Sequence, residues 1–147
     1  MKISIIMPSL NVRPYIGECI ESAIGQSLKE IEIICVDAGS TDGTWEVLEK
    51  YAQRDNRIKL YQSEIKSYGY QVNFGIDKAT GDYTAILETD DYLSERMYEI
   101  LYQMAEDYGV DYAKSDFARL VIIFISLLLI SINLLLDKDI IFFVSRY

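Results

Sequence analysis

Short apolar runs alternate with helix-period stripes along most of this chain. Ile3 to Met7 is an apolar run stopped by Pro8, and Ile31 to Val36 is a second, closing at Asp37. Ile58 to Tyr61 and Tyr83 to Leu87 are shorter runs of the same kind, and Val110 to Lys114 has the look of another strand. Continuous apolar runs bounded by turn residues predict buried strands. Between them the period changes. Ile16, Cys19, Ile20, Ala23 and Ile24 fall on one helical stripe, with Pro14 suited to the first turn. Trp45, Leu48 and Ala52 predict a second helix, capped by Ser40, Thr41 or Asp42. A third opens at Ser67-Tyr68-Gly69-Tyr70, runs through Val72 and Ile76, and closes at the Ala79-Thr80-Gly81-Asp82 turn. Met97, Ile100, Leu101, Met104, Ala105 and Tyr108 form the stripe of a fourth, ended by Gly109. Strands alternating with helices of this length mean βαβ units and a mostly parallel sheet.

The pattern breaks at Leu120. Seventeen residues without a charge, Leu120 to Leu136, precede Asp137-Lys138-Asp139 and a second apolar patch, Ile140 to Val144. Three readings of this tail stay open. As a transmembrane helix, 17 residues reach roughly 25 Å, short of a hydrocarbon core of about 30 Å, and Lys114 and Arg119 would hold the preceding domain in the cytoplasm. As a core segment it has no partner domain to bury it. As the product of a truncated or frame-disrupted gene it is not a selected sequence.

Charge narrows the function. The tail's acidic and basic residues balance, so the net charge of −9 lies in residues 1–119. No clustered Lys/Arg face is available for a nucleic-acid backbone, so nucleic acid is excluded as a partner. A single nucleotide is not, because a metal ion can bridge acidic protein to acidic ligand. Cys19 and Cys35, on a helix-like and a strand-like apolar stretch, read as core packing. With no signal peptide at the amino terminus, they point to a reducing cytosol. The chain has no histidine, which removes serine-triad and histidine-zinc chemistry.

The candidate chemistry sits at strand ends. Glu88, Asp90 and Asp91 follow the run that ends at Leu87, in the crevice where open α/β sheets bind ligands. Carboxylates packed so closely repel one another unless a cation neutralises them, so they read as a divalent metal site for a phosphorylated substrate. Asp37 closes the second strand in the same way. There it can accept a hydrogen bond from the imide N–H of uracil or from a ribose hydroxyl. The Ser40-Thr41-Asp42 segment reads as turn and helix cap.

Three motifs then stand in register: Ser4-Ile5-Ile6-Met7-Pro8-Ser9-Leu10-Asn11, Val36-Asp37-Ala38-Gly39-Ser40-Thr41-Asp42-Gly43-Thr44, and Ala79-Thr80-Gly81-Asp82-Tyr83 running into Glu88-Thr89-Asp90-Asp91. Together they resemble the amino-terminal half of a family 2 glycosyltransferase. The resemblance implies a Rossmann-like, three-layer GT-A nucleotide-diphospho-sugar transferase fold over residues 1–117, incomplete at its carboxyl end, with the apolar tail at 118–147. It also implies a nucleotide-sugar donor, often a UDP-sugar, a divalent cation such as Mn²⁺ or Mg²⁺, and a saccharide or lipid-linked acceptor in polysaccharide or cell-envelope synthesis. The enzyme would work in the cytoplasm and, on the membrane reading of the tail, at the inner face of the cell membrane with residues 120–136 associating with it. By the same resemblance Pro8 and Leu10 line the base pocket and Asp37 contacts the uracil. Lys66 and Asn73 bound the loop that flanks the nucleotide. Glu88 and Asp90 reach the donor, with Glu88, Asp90 and Asp91 around the metal. Leu10 stands where the family often has Tyr, Ala38 where a second Asp is common, and Glu88 where the first Asp is usual. The resemblance stops near Phe117 or Ala118. The family's general base lies further downstream and no matching residue follows here, so no catalytic residue is assigned. The competing readings are a non-catalytic membrane-associated remnant or interaction module, and another metal-using α/β enzyme such as a nucleotidyltransferase. The latter lacks support, since Asn11-Val12-Arg13 stands where a Gly-rich phosphate loop would be.

Overall fold

The first two strands, β1 (Ile3–Ser9) and β2 (Ile31–Asp37), are buried at all seven positions of each. That is why their sequences show no alternation: both faces of the sheet are covered by helices. The structure is a computed structural model describing residues 1–113 and 144–146. The further elements are α1 (Ile16–Ile24), α2 (Thr44–Ala52), β3 (Ile58–Gln62), α3 (Tyr68–Lys78), β4 (Tyr83–Ile86), α4 (Met97–Tyr108), β5 (Tyr112–Ala113) and β6 (Val144–Arg146). The sheet order is β3-β2-β1-β4-β6-β5. β1, β2, β3 and β4 are mutually parallel neighbours in that order, and β6 runs antiparallel to both β4 and β5. The register pairs Ile3 with both Ile31 and Tyr83, and Ser9 with Asp37. The carboxyl ends of β1, β2 and β4 therefore open on the same edge, and the loops that follow them meet there.

The helices differ in detail from their sequence patterns. α1 begins at Ile16, so Pro14 lies in the turn before it, where Val12 O accepts the N–H groups of Tyr15 and Ile16. Gly43, with a positive φ of 93°, takes the N-cap position of α2, ahead of the expected Ser40, Thr41 or Asp42. Asp42 still accepts the Thr44 N–H at 3.0 Å from one residue earlier. The buried face of α2 is Thr44, Val47 and Leu48, with Trp45 and Ala52 half-buried. α4 buries Tyr98, Leu101 and Ala105, while Ile100 and Met104 are 47% and 45% exposed and Tyr108 is 76% exposed. Its apolar stripe is wider than the surface offered to it, so only one half is covered. Cys19 and Cys35 are buried free thiols. Among the described residues no helix is long and apolar enough to cross a membrane. The run Leu120 to Leu136, and with it the three readings of the tail, lies outside the described residues.

A buried carboxylate ties the turn before β4 to the sheet. Glu32 Oε1 accepts Ser4 Oγ at 2.6 Å, Thr80 N at 2.6 Å and Thr80 Oγ1 at 2.7 Å, while Oε2 accepts Lys59 Nζ at 2.5 Å. Gly81 in the same turn donates its N–H to Ser4 Oγ at 2.9 Å. A Cβ at Gly81 would lie 2.8 Å from the Ser4 backbone nitrogen and 2.9 Å from the Ile3 carbonyl carbon, where no flexible side chain can yield. Gly81→Ala is expected to destabilise the fold by about 1–3 kcal/mol, read as a lower denaturant midpoint. An unchanged midpoint would show that the turn can back away from β1.

Candidate functional site

The site is assembled from the loops at the carboxyl edge of the sheet. The loops after β1 and β2 are stitched together. Asn11 N–H donates to Ser40 Oγ at 2.8 Å, Thr41 N–H to Asn11 Oδ1 at 2.8 Å, Val12 N–H to Thr44 Oγ1 at 3.0 Å and Arg13 N–H to Asp42 Oδ2 at 2.9 Å. Asn11 and Gly39 adopt positive φ values of 55° and 74°, which let the two turns approach. Asp37 lies beneath them, 1% exposed. Its Oδ1 accepts Ser9 Oγ at 3.1 Å and the Ser40 hydroxyl; its Oδ2 accepts Gly39 N–H at 3.0 Å and Ser40 N–H at 2.8 Å. Both oxygens are thus engaged by the protein. This carboxylate builds the shape of the loop, because the nearest donors are its own chain neighbours.

Pro8 is buried and its carbonyl accepts Thr89 Oγ1 at 3.1 Å, which joins the end of β1 to the acidic turn. Leu10 is exposed at the rim. Lys66 is exposed, with its Cε 3.9 Å from where a Cβ on Gly39 would stand, so a cation overhangs the β2 loop. Asn73 is exposed on α3. Gln71 was not singled out from the sequence, yet it is buried and its Nε2 donates to Ser9 O at 2.8 Å and Val36 O at 2.6 Å. It seats α3 against the ends of β1 and β2.

The acidic turn has its own support. Glu88 is half-buried; its carbonyl accepts Asp91 N–H at 3.0 Å and the Cys19 thiol at 3.4 Å. The Tyr68 hydroxyl donates to Glu88 Oε1. Asp90 is exposed and Asp91 half-buried. Burial first, then the charges of Asp90 and Glu88, push the Asp91 carboxyl above its ordinary range. Burial pushes the Cys19 thiol up as well, aided by Cys35 and the three acids, and the Tyr68 hydroxyl rises through burial and its bond to Glu88. The thiol therefore stays neutral. Hard oxygen donors that repel one another suit a divalent cation chemically. Yet among the described residues no group of three His, Cys, Asp or Glu side chains converges as a ligand set. Glu88, Asp90 and Asp91 share one turn without converging: like charges spread apart, and Tyr68 engages Glu88.

Two polar residues, Ser22 on α1 and Gln26 just past its end, invisible as such in the apolar pattern, secure the segment before and at the start of α4. Leu93 N–H donates to Ser22 Oγ at 3.1 Å, Gln26 Nε2 to Ser94 O at 2.7 Å, and Tyr98 N–H to Gln26 Oε1 at 3.1 Å. The available signal was Ser22 and Gln26 at helical spacing from Cys19, on or beside the apolar stripe.

Comparisons with known proteins agree with this arrangement. The sequence profile described as glycosyl transferase family 2 matches residues 4–119. The glycosyltransferase GlyG of Streptococcus pneumoniae is 38% identical over 110 residues, 74% of this chain and 36% of that protein. EpsJ of Bacillus subtilis, an uncharacterized glycosyltransferase, is 39% identical over 117 residues, 80% of this chain and 34% of that protein. Among solved structures, TarS of S. aureus in complex with UDP superposes with a TM-score of 0.71 at 29% identity, covering 76% of this chain and 34% of that one. The chain spans about a third of the length of these relatives. The four parallel strands β3-β2-β1-β4 with their helices are shared with structural neighbours of the GT-A fold, and with a profile matched over most of its length the chain belongs to glycosyl transferase family 2.

Proposed function

We propose that this chain forms the donor-binding part of a glycosyltransferase that takes a nucleotide-sugar, a UDP-sugar foremost, together with a divalent cation such as Mn²⁺ or Mg²⁺. One observation carries the reading: the sheet register delivers the Pro8–Leu10, Asp37–Ser40 and Glu88–Asp91 segments to a single edge. The relative TarS has been solved with UDP and with UDP-GlcNAc, which supports a uridine nucleotide as the first ligand to try.

In this reading Pro8, Leu10 and Lys66 border the nucleotide, with Asn73 further along α3. Asp37 acts by holding Gly39 and Ser40 in place, since its oxygens are already engaged. Glu88, Asp90 and Asp91 would hold the cation, with Glu88 and Asp90 nearest the donor. A bound cation supplies positive charge to the diphosphate as the bond to the anomeric carbon breaks. The acidic turn cannot bind a diphosphate unaided, because its own charge repels it. Acceptor binding and proton removal from an acceptor hydroxyl belong, in this proposal, to parts of the relatives outside the matched third. The acceptor would be a saccharide or lipid-linked glycan of the cell envelope, met at the inner face of the membrane.

Calorimetric titration of UDP with and without Mn²⁺ tests the reading. Binding is expected with the cation and little or none without it, and no sugar transfer by this chain alone. A folded sample that gives no heat in either titration sinks the proposal.

A further inference from the structure

α4 carries a second apolar strip beside its buried face. Tyr98, Leu101 and Ala105 face the core, while Ile100, Met104 and Tyr108, spaced four apart, stand exposed along the adjoining flank. Val110, just beyond the helix, is exposed as well. The opposite flank is occupied. The Tyr102 ring meets that of Tyr83 in β4 edge-on at 5.8 Å and the Lys2 ammonium at 4.8 Å, and Glu99 Oε2 accepts Ser27 Oγ at 2.8 Å. Those contacts turn that side of the helix toward the start of β1 and the end of α1. The sheet order puts β6 and β5 on the other side of β4, so the bare flank lies on their side.

The chain leaves the sheet and returns to it at the same place. It departs after Ala113 in β5, and Val144 in β6 pairs with both Ala113 and Ala85. Paired residues of antiparallel strands stand about 5 Å apart, so residues 114–143 start and finish at one point beside α4. The uncharged run Leu120 to Leu136 falls within that excursion. A single crossing of a bilayer would carry Val144 to the far side from the strands it pairs with. A return crossing needs a second run of about 20 apolar residues, and only Asp137 to Phe143 follow. We propose that Leu120–Leu136 of this chain docks on the Ile100–Met104–Tyr108 flank of α4. The residues from Lys114 to Arg119 can reach about 20 Å, as far as the roughly 18 Å length of the 12-residue helix. Docking removes two adjacent apolar surfaces from water at once.

Photo-cross-linking of the full chain provides the test. Met104→benzoylphenylalanine protein, isotope-labelled and unlabelled copies mixed equally, is irradiated with and without phosphatidylcholine–phosphatidylglycerol vesicles. The expected product joins position 104 to a peptide from 120–136 of the same isotopic kind, in the same yield with vesicles as without. The probe at Gln103, on the polar side of α4, is expected to lose that product. Isotopically mixed products would make a second copy the occupant, and a lipid adduct or loss of the product on adding vesicles would make it a bilayer; either overturns the proposal, as does a folded protein giving no product with 120–136. Met104→Glu gives an independent reading, because Met104 is exposed enough for the described fold to tolerate the change. A charge on the flank is expected to drive the run off it and speed tryptic cleavage after Arg119 about 10-fold. Unchanged cleavage would count against docking at this flank.

Discussion

Replacing Asp90 by alanine removes the Mn²⁺ dependence of UDP binding: the variant is expected to give the same weak isotherm with and without the cation. Asp90 is the exposed member of the acidic turn, free of the fold-building bonds that occupy Asp37. Its loss takes a hard oxygen donor and a negative charge from the site together. The apparent affinity for UDP at fixed Mn²⁺ should fall by roughly 100-fold, the upper end of what losing a supporting group alone costs. Without metal the sign reverses. Asp91 is held above its ordinary range by burial and by the charges of Asp90 and Glu88, so its ionised form is disfavoured by its surroundings. Removing Asp90 relieves that repulsion, and the metal-free variant should melt no earlier than wild type. The same shift gives a pH dependence. Asp91 takes up a proton sooner than an ordinary aspartate as pH falls, so the cation-dependent binding proposed above is expected to weaken on acidification. Full retention of Mn²⁺ dependence in Asp90→Ala would place the cation elsewhere.

The largest expected loss of stability is at Glu32, far from any ligand. Glu32 is fully buried and accepts from Ser4, Lys59 and both donors of Thr80. Glu32→Ala leaves these donors without their acceptor and is expected to cost about 3–5 kcal/mol, as breaking a buried charged pair commonly does. The acid response carries the same signature. Burial alone would raise this carboxyl, but the bonds from Lys59, Ser4 and Thr80 prevail and lower it from 4.5 to about 2. A lowered acid stabilises the fold fully above its unfolded value and loses that contribution as pH falls through the folded one. The window therefore runs from near pH 4.5 down to about 2, and the contribution lost across it is roughly 3 kcal/mol. Glu32→Gln keeps the shape without the charge. Its denaturation midpoint should start lower and vary less across that window. Parallel curves for wild type and Glu32→Gln would assign the acid sensitivity to other carboxylates.

The architecture was legible because burial on both faces leaves a one-dimensional trace. Ile3 to Met7 and Ile31 to Val36 read as buried strands of a mostly parallel sheet, and the positions of Pro8, Asp37 and Glu88 at strand ends suggested a site at one edge. Helix faces were less legible. The stripe of α4 included Ile100, Met104 and Tyr108, which stand exposed, because periodicity tells which residues share a side and not how much of that side has a neighbour. Gly43 displaced the expected side-chain caps of α2 since a left-handed residue there lets Asp42 bond to Thr44 from outside the helix.

Residue roles were a different matter. The bonds by which Asp37 holds its own loop, from Ser9 and Ser40, left no trace in the sequence beside the base contact expected of it. Glu88 stands in one turn with Asp90 and Asp91, but the bond it accepts from Tyr68, twenty positions earlier in the chain, had no local signal. Glu32 gave no sign of itself within a strand that otherwise reads as apolar, since Ser4 and Thr80, 28 and 48 positions away, supply its bonds. The amino-acid order alone determined the strands, the helices and the edge on which their loops gather, because local periodicity and turn chemistry depend on near neighbours. Only the tertiary structure decided which polar atoms bond across that edge, because those pairings follow from strand order and register, which bring together groups that no spacing along the chain relates.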